Sequence, residues 1–199
     1  MSTAMLLDLP KQHRAGHRVG IVSICSAHPL VIESALIAGR ENRHAVLIEA
    51  TCNQVNQDGG YTGMTPLGFR KFVEAIATRV GFDTARLILG GDHLGPNPWK
   101  HLPAAEAMEK SRTMISAFVG AGFTKLHLDT SMGCQSEPIA LPDAITAERA
   151  AFLAQAAEST LPASGDKPVY IIGTEVPVPG GALEALDHLQ VTSSAAALN

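Results

Sequence analysis

Leu87-Ile88-Leu89-Gly90-Gly91-Asp92-His93 is a mainly aliphatic run that ends in an acid and an imidazole. An uninterrupted apolar run of this length is typical of a strand that is buried on both faces, as strands of parallel sheets are. The polar pair follows at the point where such a strand would leave the sheet. The segment therefore predicts a buried parallel strand with chemically useful groups at its carboxyl end.

Similar apolar runs recur along the chain, at residues 19–26, 45–52, 86–92, 125–131 and 168–175. Helical patterns lie between them, and the clearest begins at Pro66 with Thr65 as its cap and stops at Gly81. Further helices are expected from Pro29, from Pro103 to about Val119 and after Thr146. Strands that alternate with helices predict right-handed βαβ units and a parallel sheet, which is an α/β fold.

Two closures of this sheet are possible, a doubly wound open sheet and a (β/α)8 barrel. An open nucleotide-binding sheet would favour a glycine-rich turn after the first strand. That turn reads Ile24-Cys25-Ser26-Ala27-His28-Pro29 and contains no glycine. Every predicted strand also ends in polar side chains, which is how the active sites of barrels are assembled. We therefore expect the (β/α)8 TIM-barrel type, with the open sheet as the alternative.

The chain length limits how much of such a barrel is present. A complete barrel needs about 250 residues, whereas this chain has 199. We expect only about the first five β/α units, with an N-terminal segment at residues 1–18, the barrel part at 19–181 and a truncated tail at 182–199. Expressed alone, such a chain is expected to aggregate or to form a molten state, because the edges of its sheet lack partners.

The composition excludes several classes of protein. The chain is 46% hydrophobic with a formal net charge of −4, and no basic cluster marks a nucleic-acid or membrane surface. It has neither the pattern of a signal peptide nor an apolar segment that could span a bilayer. Its cysteines, Cys25, Cys52 and Cys134, are odd in number and widely spaced, which favours free thiols in the cytoplasm.

The candidate site consists of the polar residues at the strand ends. A histidine such as His93 can bind a divalent ion, while Asp92 can supply charge or move a proton. In the fourth run, His127 and Asp129 share the face opposite Leu126 and Leu128, so we expect them to point into the barrel. The remaining strand-end candidates are Ser26, His28, Glu49, Asn53, Gln54, Asn97, Ser131 and Glu175.

Each of these residues also has a purely structural interpretation. Carboxylates at strand ends often cap the next helix, and His127 alone is typical of a hydrogen-bonded core residue. The other histidines are expected at the surface, namely His13, His17, His44, His101 and His188. The cysteines are interpreted as small buried apolar groups. The glycine-rich residues 59–66 form either a loop that covers a ligand or a long turn.

Several long motifs resemble those of the GatZ/KbaZ-like family, the Z components associated with class II tagatose-1,6-bisphosphate aldolase. The resemblance extends roughly from Lys11 to Gly181. The motifs that carry it are Cys25-Ser26-Ala27-His28-Pro29, Ile48-Glu49-Ala50-Thr51, Asn53-Gln54-Val55-Asn56-Gln57, Gly59-Gly60-Tyr61-Thr62-Gly63-Met64-Thr65-Pro66, Gly91-Asp92-His93-Leu94-Gly95-Pro96-Asn97 and Gly173-Thr174-Glu175-Val176-Pro177.

The resemblance implies a TIM barrel in the bacterial breakdown of tagatose, galactitol and N-acetylgalactosamine. One role that it implies is an accessory subunit that stabilises the catalytic (Y-type) subunit of the class II aldolase. The alternative is a metal-dependent D-tagatose-6-phosphate 4-epimerase acting alone on a ketohexose phosphate. A divalent metal (Zn, Mn or Mg), no organic cofactor and an oligomer of the full-length protein are also expected. A kinase receives little weight, since no GxxxxGK[ST] loop is present.

Comparison with the catalytic aldolase pattern assigns roles to the candidates. Asp92-His93 resembles its Asp-His pair, but Met132 and Val176 stand where the pattern has two further histidines. These departures favour the accessory role, and Glu175 is a possible oxygen ligand in their place. The expected catalytic residues are Asp92, Glu49, Asp129 and Glu175, and the expected metal ligands are His93 and Glu175. Substrate contacts are expected from Ser26, His28, Asn53, Gln54, Asn97 and Ser131.

Overall fold

The computed structural model describes residues 2–161 and 167–172. Their elements follow in the order α1 (Ser2–Arg14), β1 (Ser23–Cys25), α2 (Pro29–Glu41), β2 (Val46–Thr51), α3 (Pro66–Arg79), β3 (Leu87–Leu94), α4 (Ala104–Gly120), β4 (Lys125–Leu128), α5 (Asp143–Thr160) and β5 (Val169–Ile172). The strands form one parallel sheet of five in the order β1-β2-β3-β4-β5. The predicted parallel α/β fold is therefore confirmed.

The two faces of the sheet are covered differently. Helices α2 to α5 pack on one face, where Ile48 and Leu126 join a large core with Phe69, Phe118 and Leu153. This packing explains the apolar spacing of the helices, because each buries one stripe against the sheet. The opposite face carries the alternate residues of the strands, and it holds both a small apolar cluster and the polar groups described below.

Helix α1 packs on the sheet through the small apolar cluster. Leu6 of this helix packs against Leu47 and Ile88, near the amino ends of β2 and β3. No helix was predicted there, because the segment is only weakly amphipathic and contains Pro10. None of the helices in the described part of the chain combines the length and apolarity needed to cross a membrane.

Three of the predicted helix starts are confirmed. His28 caps α2 by accepting a hydrogen bond from Leu30 N at 3.3 Å, and Thr65 caps α3 by accepting one from Gly68 N at 3.2 Å. Helix α4 begins directly after Pro103. In both capped helices proline is the first residue, where its fixed φ and missing N–H cost nothing.

Two predicted boundaries are wrong. Helix α5 begins at Asp143 and not after Thr146, because Pro142 in the preceding position already directs the chain into the helix. Thr146 instead lies buried in the first turn, and its carbonyl accepts a hydrogen bond from Thr130 Oγ1 at 2.7 Å. The first strand is confined to Ser23–Cys25, whereas the prediction began at residue 19.

Candidate metal site at the carboxyl ends of the strands

Strand pairing places the polar side chains in two rows across the face opposite helices α2 to α5. The lower row contains Cys25, Glu49, Gly90 and Lys125, each paired with the next across neighbouring strands. One step toward the carboxyl ends, Asp92 pairs with Thr51, and His127 follows Lys125 two residues along β4. The strands therefore deliver Asp92 and His127 to the same edge of the sheet.

A bulge in β3 brings a third group to this edge. Gly91 pairs with Leu126 and Leu94 pairs with Leu128, so two residues of β3 oppose only His127 of β4. The extra residue is His93, whose φ of 48° lies in the left-handed region. Bulges of this kind redirect side chains next to active sites. Here the bulge allows the consecutive residues Asp92 and His93 to contact the same neighbours.

Asp92, His93 and His127 form one compact cluster. His127 Nδ1 lies 2.9 Å from Asp92 Oδ1, and His93 Nδ1 lies 3.0 Å from Asp92 Oδ2. The two imidazole rings are 4.4 Å apart, and each residue offers a ligand atom within 4.8 Å of the other two. The structure thus brings His127, which was predicted to point into the barrel but taken alone was typical of a core residue, against Asp92 and His93.

The short contacts to Asp92 also fix the tautomers. A nitrogen 2.9–3.0 Å from a carboxylate oxygen carries the proton, so both Nδ1 atoms donate to Asp92. His93 N also lies 3.4 Å from His127 Nδ1, but this longer contact would need an unprotonated Nδ1, and the charge-assisted bond is the stronger one. Each ring can then present the lone pair of Nε2 to a cation, as metal-bound histidines do.

The Asp92 carboxylate is held in its ionised form. Burial alone would raise its pKa, but hydrogen bonds from His127 and His93 keep the pKa well below its ordinary value. Two imidazoles that a carboxylate orients through their Nδ1 protons fit Zn²⁺ or Mn²⁺, which accept imidazole nitrogen as a ligand. Two protein ligands leave coordination positions for a substrate, as in catalytic sites.

Glu49 lies one row below this cluster. Its carboxylate is buried and accepts hydrogen bonds from Lys125 Nζ, at 2.5 Å, and from Ser23 Oγ. Glu49 was predicted as a site residue, whereas its partners Lys125 and Ser23 were not. Strand alternation places Lys125 on the same face as His127, but nothing in the sequence reveals that it reaches across β3.

Asp129 and Ser131 follow β4 in a buried turn. Asp129 Oδ1 accepts hydrogen bonds from Ser131 N at 3.1 Å and from Ser131 Oγ at 2.7 Å. The metal-ligand cluster among the described residues comprises Asp92, His93 and His127 and does not include Asp129. The structure thus pairs these two predicted residues with each other, in a turn beyond the end of the fourth strand.

The predicted substrate contacts near β1 and β2 take part in local turns. Ser26 Oγ accepts a hydrogen bond from His28 N at 3.1 Å, and His28 is the α2 cap described above. Gln54 Oε1 accepts one from Thr51 N at 2.9 Å, and Asn53 O accepts one from Tyr61 N at 2.9 Å. These contacts give each residue a structural role at the rim of the sheet.

Asn97 differs from the other predicted substrate contacts. It opens the short 3₁₀ turn Asn97–Trp99 that follows β3. Its Oδ1 atom is buried and has no hydrogen-bond partner among the described residues. A buried acceptor of this kind normally has a partner, because leaving it unsatisfied costs free energy. Asn97 is therefore a reasonable candidate for a contact with a bound molecule.

The glycine-rich segment at residues 59–66 has the contacts expected of a long turn. Asn56 Oδ1 accepts hydrogen bonds from Asp58 N at 2.9 Å and Gly60 N at 3.0 Å, while Gln54 O accepts one from Thr62 Oγ1 at 2.7 Å. Gly60 has φ +55°, and a Cβ atom there would lie 2.4 Å from Gln54 O. The turn therefore needs glycine for its own geometry.

The three cysteines are free thiols, as predicted, but they do not share one environment. Cys52 and Cys134 are buried, whereas Cys25 is exposed, so its predicted burial is wrong. Its thiol faces the polar rows, where desolvation and the Asp92 carboxylate raise its pKa to about 12. The predicted surface histidines His13, His17, His44 and His101 are exposed.

Several predictions fall outside the described residues. They concern Glu175 as a ligand and catalytic group, Val176 in the aldolase comparison, the surface position of His188 and the tail at residues 182–199. Met132 lies inside the described part and is half-buried, and its backbone forms an isolated antiparallel bridge with Ala140.

Comparison with known proteins identifies relatives over nearly the whole chain. Curated relatives named D-tagatose-1,6-bisphosphate aldolase subunit GatZ include one from Salmonella newport (strain SL254), 56% identical over 93% of this chain and 44% of its own length. Another, from Klebsiella oxytoca, is 57% identical over the same shares of the two chains. The chain therefore spans less than half the length of these relatives.

A solved structure shows the same fold. It is described as a probable tagatose 6 phosphate kinase from Sinorhizobium meliloti 1021, and it is 60% identical with a TM-score of 0.78 over 90% of this chain and 42% of its own. The family model described as D-tagatose-1,6-bisphosphate aldolase subunit GatZ/KbaZ-like matches residues 6–199. This chain belongs to the GatZ/KbaZ-like family of D-tagatose-1,6-bisphosphate aldolase subunits.

Proposed function

We propose that this chain is part of an accessory subunit that stabilises the catalytic, Y-type subunit of a class II D-tagatose-1,6-bisphosphate aldolase. Its membership of the GatZ/KbaZ-like family is the observation that carries the proposal, since its relatives are named as subunits of that enzyme. Met132 supports it, because a thioether replaces a histidine of the catalytic aldolase pattern. The pathway in which the subunit works is then ketohexose-phosphate breakdown.

The proposal includes a barrel architecture. Five parallel strands in sequential order, with α2 to α5 on one face, are what the first five units of a (β/α)8 barrel require. Helix α1 then covers the amino ends of the strands from the inside, and the polar rows face the barrel interior. The barrel part is assigned to residues 19–181, and α1 belongs to the segment at 1–18.

A second function is favoured by the Asp92–His93–His127 cluster. In a metal-dependent 4-epimerase acting on a ketohexose 6-phosphate, the imidazoles of His93 and His127 would hold the divalent cation. When bound, such a cation polarises a carbonyl or hydroxyl oxygen of the sugar. Asp92 orients both rings through their Nδ1 protons and keeps a negative charge beside them. Asn97, whose buried Oδ1 has no hydrogen-bond partner among the described residues, would supply a substrate contact.

Co-expression with a Y-type aldolase subunit tests the accessory role. We expect a higher yield and a longer lifetime of aldolase activity when the intact Z-type protein is present. Asp92→Asn is expected to preserve this effect, because stabilisation of a partner does not depend on a metal site. An unchanged lifetime of the catalytic subunit would contradict the accessory role.

An isomerisation assay tests the second function. The intact protein is incubated with fructose 6-phosphate and Mn²⁺, Mg²⁺ or Zn²⁺, and the formation of tagatose 6-phosphate is measured. We expect chelation and His127→Ala each to abolish the conversion, because both remove the cation. A rate that survives chelation would eliminate the role of the metal, and no conversion with any of the three ions would leave only the accessory function.

A further inference from the structure

A buried ion pair lies directly beneath the candidate metal cluster. The side chains of Lys125 and Glu49 are only 12% and 4% exposed, and Nζ and Oε1 are 2.5 Å apart. They belong to β4 and β2, which are separated by β3. Since neighbouring strands are about 4.8 Å apart, the pair reaches across roughly 10 Å of sheet.

Gly90 makes this reach possible. It lies between Glu49 and Lys125 in the row, and a Cβ atom at this position would lie 2.6 Å from Glu49 Oε1. Ser23 Oγ donates to the other carboxylate oxygen. Three neighbouring strands therefore contribute to holding the Glu49 carboxylate next to one ammonium group.

Packing alone does not require charge at this position. The row below contains Leu47 and Ile88, which fill the same face with aliphatic side chains. A buried ion pair gives little or no net stability compared with apolar residues of similar volume, because both charges lose their hydration. The charges of Glu49 and Lys125 therefore point to a role other than filling the space.

The pair is close enough to affect the cluster electrostatically. Lys125 and His127 are two residues apart on one face of β4, which corresponds to about 6.6 Å along the strand. The charges of Asp92, Glu49 and Lys125 all act on the Cys25 thiol. All three charges thus act within one partly desolvated region, where screening by water is weak.

We propose that Glu49 and Lys125 are positioning residues that set the charge beneath the metal site. Lys125 cancels the negative charge of Glu49, so that within the two described rows Asp92 carries the one uncompensated negative charge. A divalent cation then leaves a net positive site, which suits an anionic sugar phosphate. This inference rests on the proposed metal site, and it replaces the predicted catalytic role of Glu49 with an electrostatic one.

A double-mutant cycle in the intact protein tests it, with Mn²⁺ affinity measured by electron paramagnetic resonance. Glu49→Gln leaves Lys125 uncompensated and is expected to weaken Mn²⁺ binding by on the order of tenfold. Lys125→Met leaves the carboxylate uncompensated and is expected to strengthen binding by a similar factor. The double variant restores the balance and is expected to bind within about twofold of the parent protein.

The opposite signs distinguish charge balance from damage to the fold. Equal affinity in all four proteins, or weaker binding in all three variants, overturns the inference and leaves the metal site intact. Absence of Mn²⁺ binding by the parent protein overturns the metal site and the inference together. If one single variant does not fold, the Mn²⁺ affinities of the other single variant and of the double variant still test the inference. The second substitution must then reverse the change in affinity that the first one causes.

Discussion

At the residue scale, one carboxylate orients two imidazoles. One carboxylate oxygen of Asp92 accepts a hydrogen bond from His127 Nδ1, and the other accepts one from His93 Nδ1. An asparagine has only one acceptor oxygen, and its amide nitrogen would face the second Nδ1 proton. That ring would have to change tautomer or turn away, which would remove one Nε2 lone pair from the site.

Asp92→Asn is therefore expected to weaken Zn²⁺ or Mn²⁺ binding by about 10–100-fold, the usual effect of removing an orienting partner. Titration calorimetry on the intact protein measures the affinity, and circular dichroism checks that the fold is retained. Asp83→Asn is the matched control, because it removes the same charge from a 3₁₀ cap while asparagine can still cap. An affinity unchanged by Asp92→Asn would contradict the cluster as a metal site.

Gly90→Ala tests how much the packing around the ion pair beneath the cluster contributes to the stability of the fold. The added methyl group would overlap the Glu49 side chain, which is buried and cannot move into solvent. We expect the free energy of unfolding of the intact protein to fall by about 1–3 kcal/mol, as for other overpacked sites. Chemical denaturation measures it. Gly120→Ala, at the end of α4 where a Cβ meets nothing within 4 Å, is expected to have almost no effect.

The sequence predicted the individual site residues better than their partners. Asp92 and His93 stood out because they follow an aliphatic run directly, and regular alternation placed His127 on the correct face. The cluster itself depends on the bulge in β3, which a two-residue period cannot reveal. The pairing of Glu49 with Lys125 depends on the register of three strands, and no local pattern records it.

At the element scale, an ion pair fastens the loop between β4 and α5. Arg149 of α5 donates to both carboxylate oxygens of Glu137, at 2.5 and 3.0 Å, and Cys134 N donates to the same carboxylate at 2.8 Å. The two charged side chains are 12% and 24% exposed. Two hydrogen bonds thus hold the loop that follows the metal-site strand against the helix, and the third, from Cys134 N, lies within the loop.

Glu137→Gln is expected to lower the free energy of unfolding at neutral pH by about 1–2 kcal/mol, because a charge-assisted pair is lost. The Arg149 guanidinium lowers the pKa of Glu137 in the folded protein. The stabilising contribution is therefore complete above the ordinary glutamate pKa and is lost as the pH falls below it.

Denaturation curves at pH 7 and near pH 4 measure this difference. We expect the parent protein and the Glu137→Gln variant to differ at pH 7 and to converge as the pH falls. Glu109→Gln is the control, because Glu109 also pairs with an arginine, Arg112, but this pair is exposed on the surface of α4. Little change in the free energy of unfolding is expected for it. A difference that grows at low pH would contradict the assigned sign.

The elements were predictable wherever local chemistry determines them. Helices that start with proline after a capping side chain, as α2 and α3 do, were located correctly from Pro29 and Pro66. The start of α5 was predicted after Thr146, although Pro142 already directs the chain into the helix at Asp143. Helix α1 was missed because packing of Leu6 on the sheet, and not its own periodicity, accounts for its position.

At the scale of the whole molecule, the described sheet has two edges. Strand β1 and strand β5 each pair with one neighbour among the described residues. Apolar side chains at these edges are exposed, with Val22 at 73% and Ile172 at 71%. Edge strands with exposed apolar residues are templates for pairing with other chains. The barrel proposal assigns these edges to contacts with further strands.

Residues 1–199 expressed alone are therefore expected to aggregate, because strand edges that a closed barrel would pair remain open to other chains. Ile172→Lys is expected to slow this aggregation, since a charged residue on an edge strand opposes pairing. Leu67→Lys replaces an apolar residue that is 51% exposed on α3, which connects the interior strands β2 and β3, and is expected to have a smaller effect. Light scattering during a thermal ramp measures the rate. If both substitutions slow aggregation equally, the aggregation is caused by general surface hydrophobicity and not by the strand edges. A sharp cooperative melt of a monomeric protein consisting of residues 1–199 would show that the five-stranded sheet is stable with open edges.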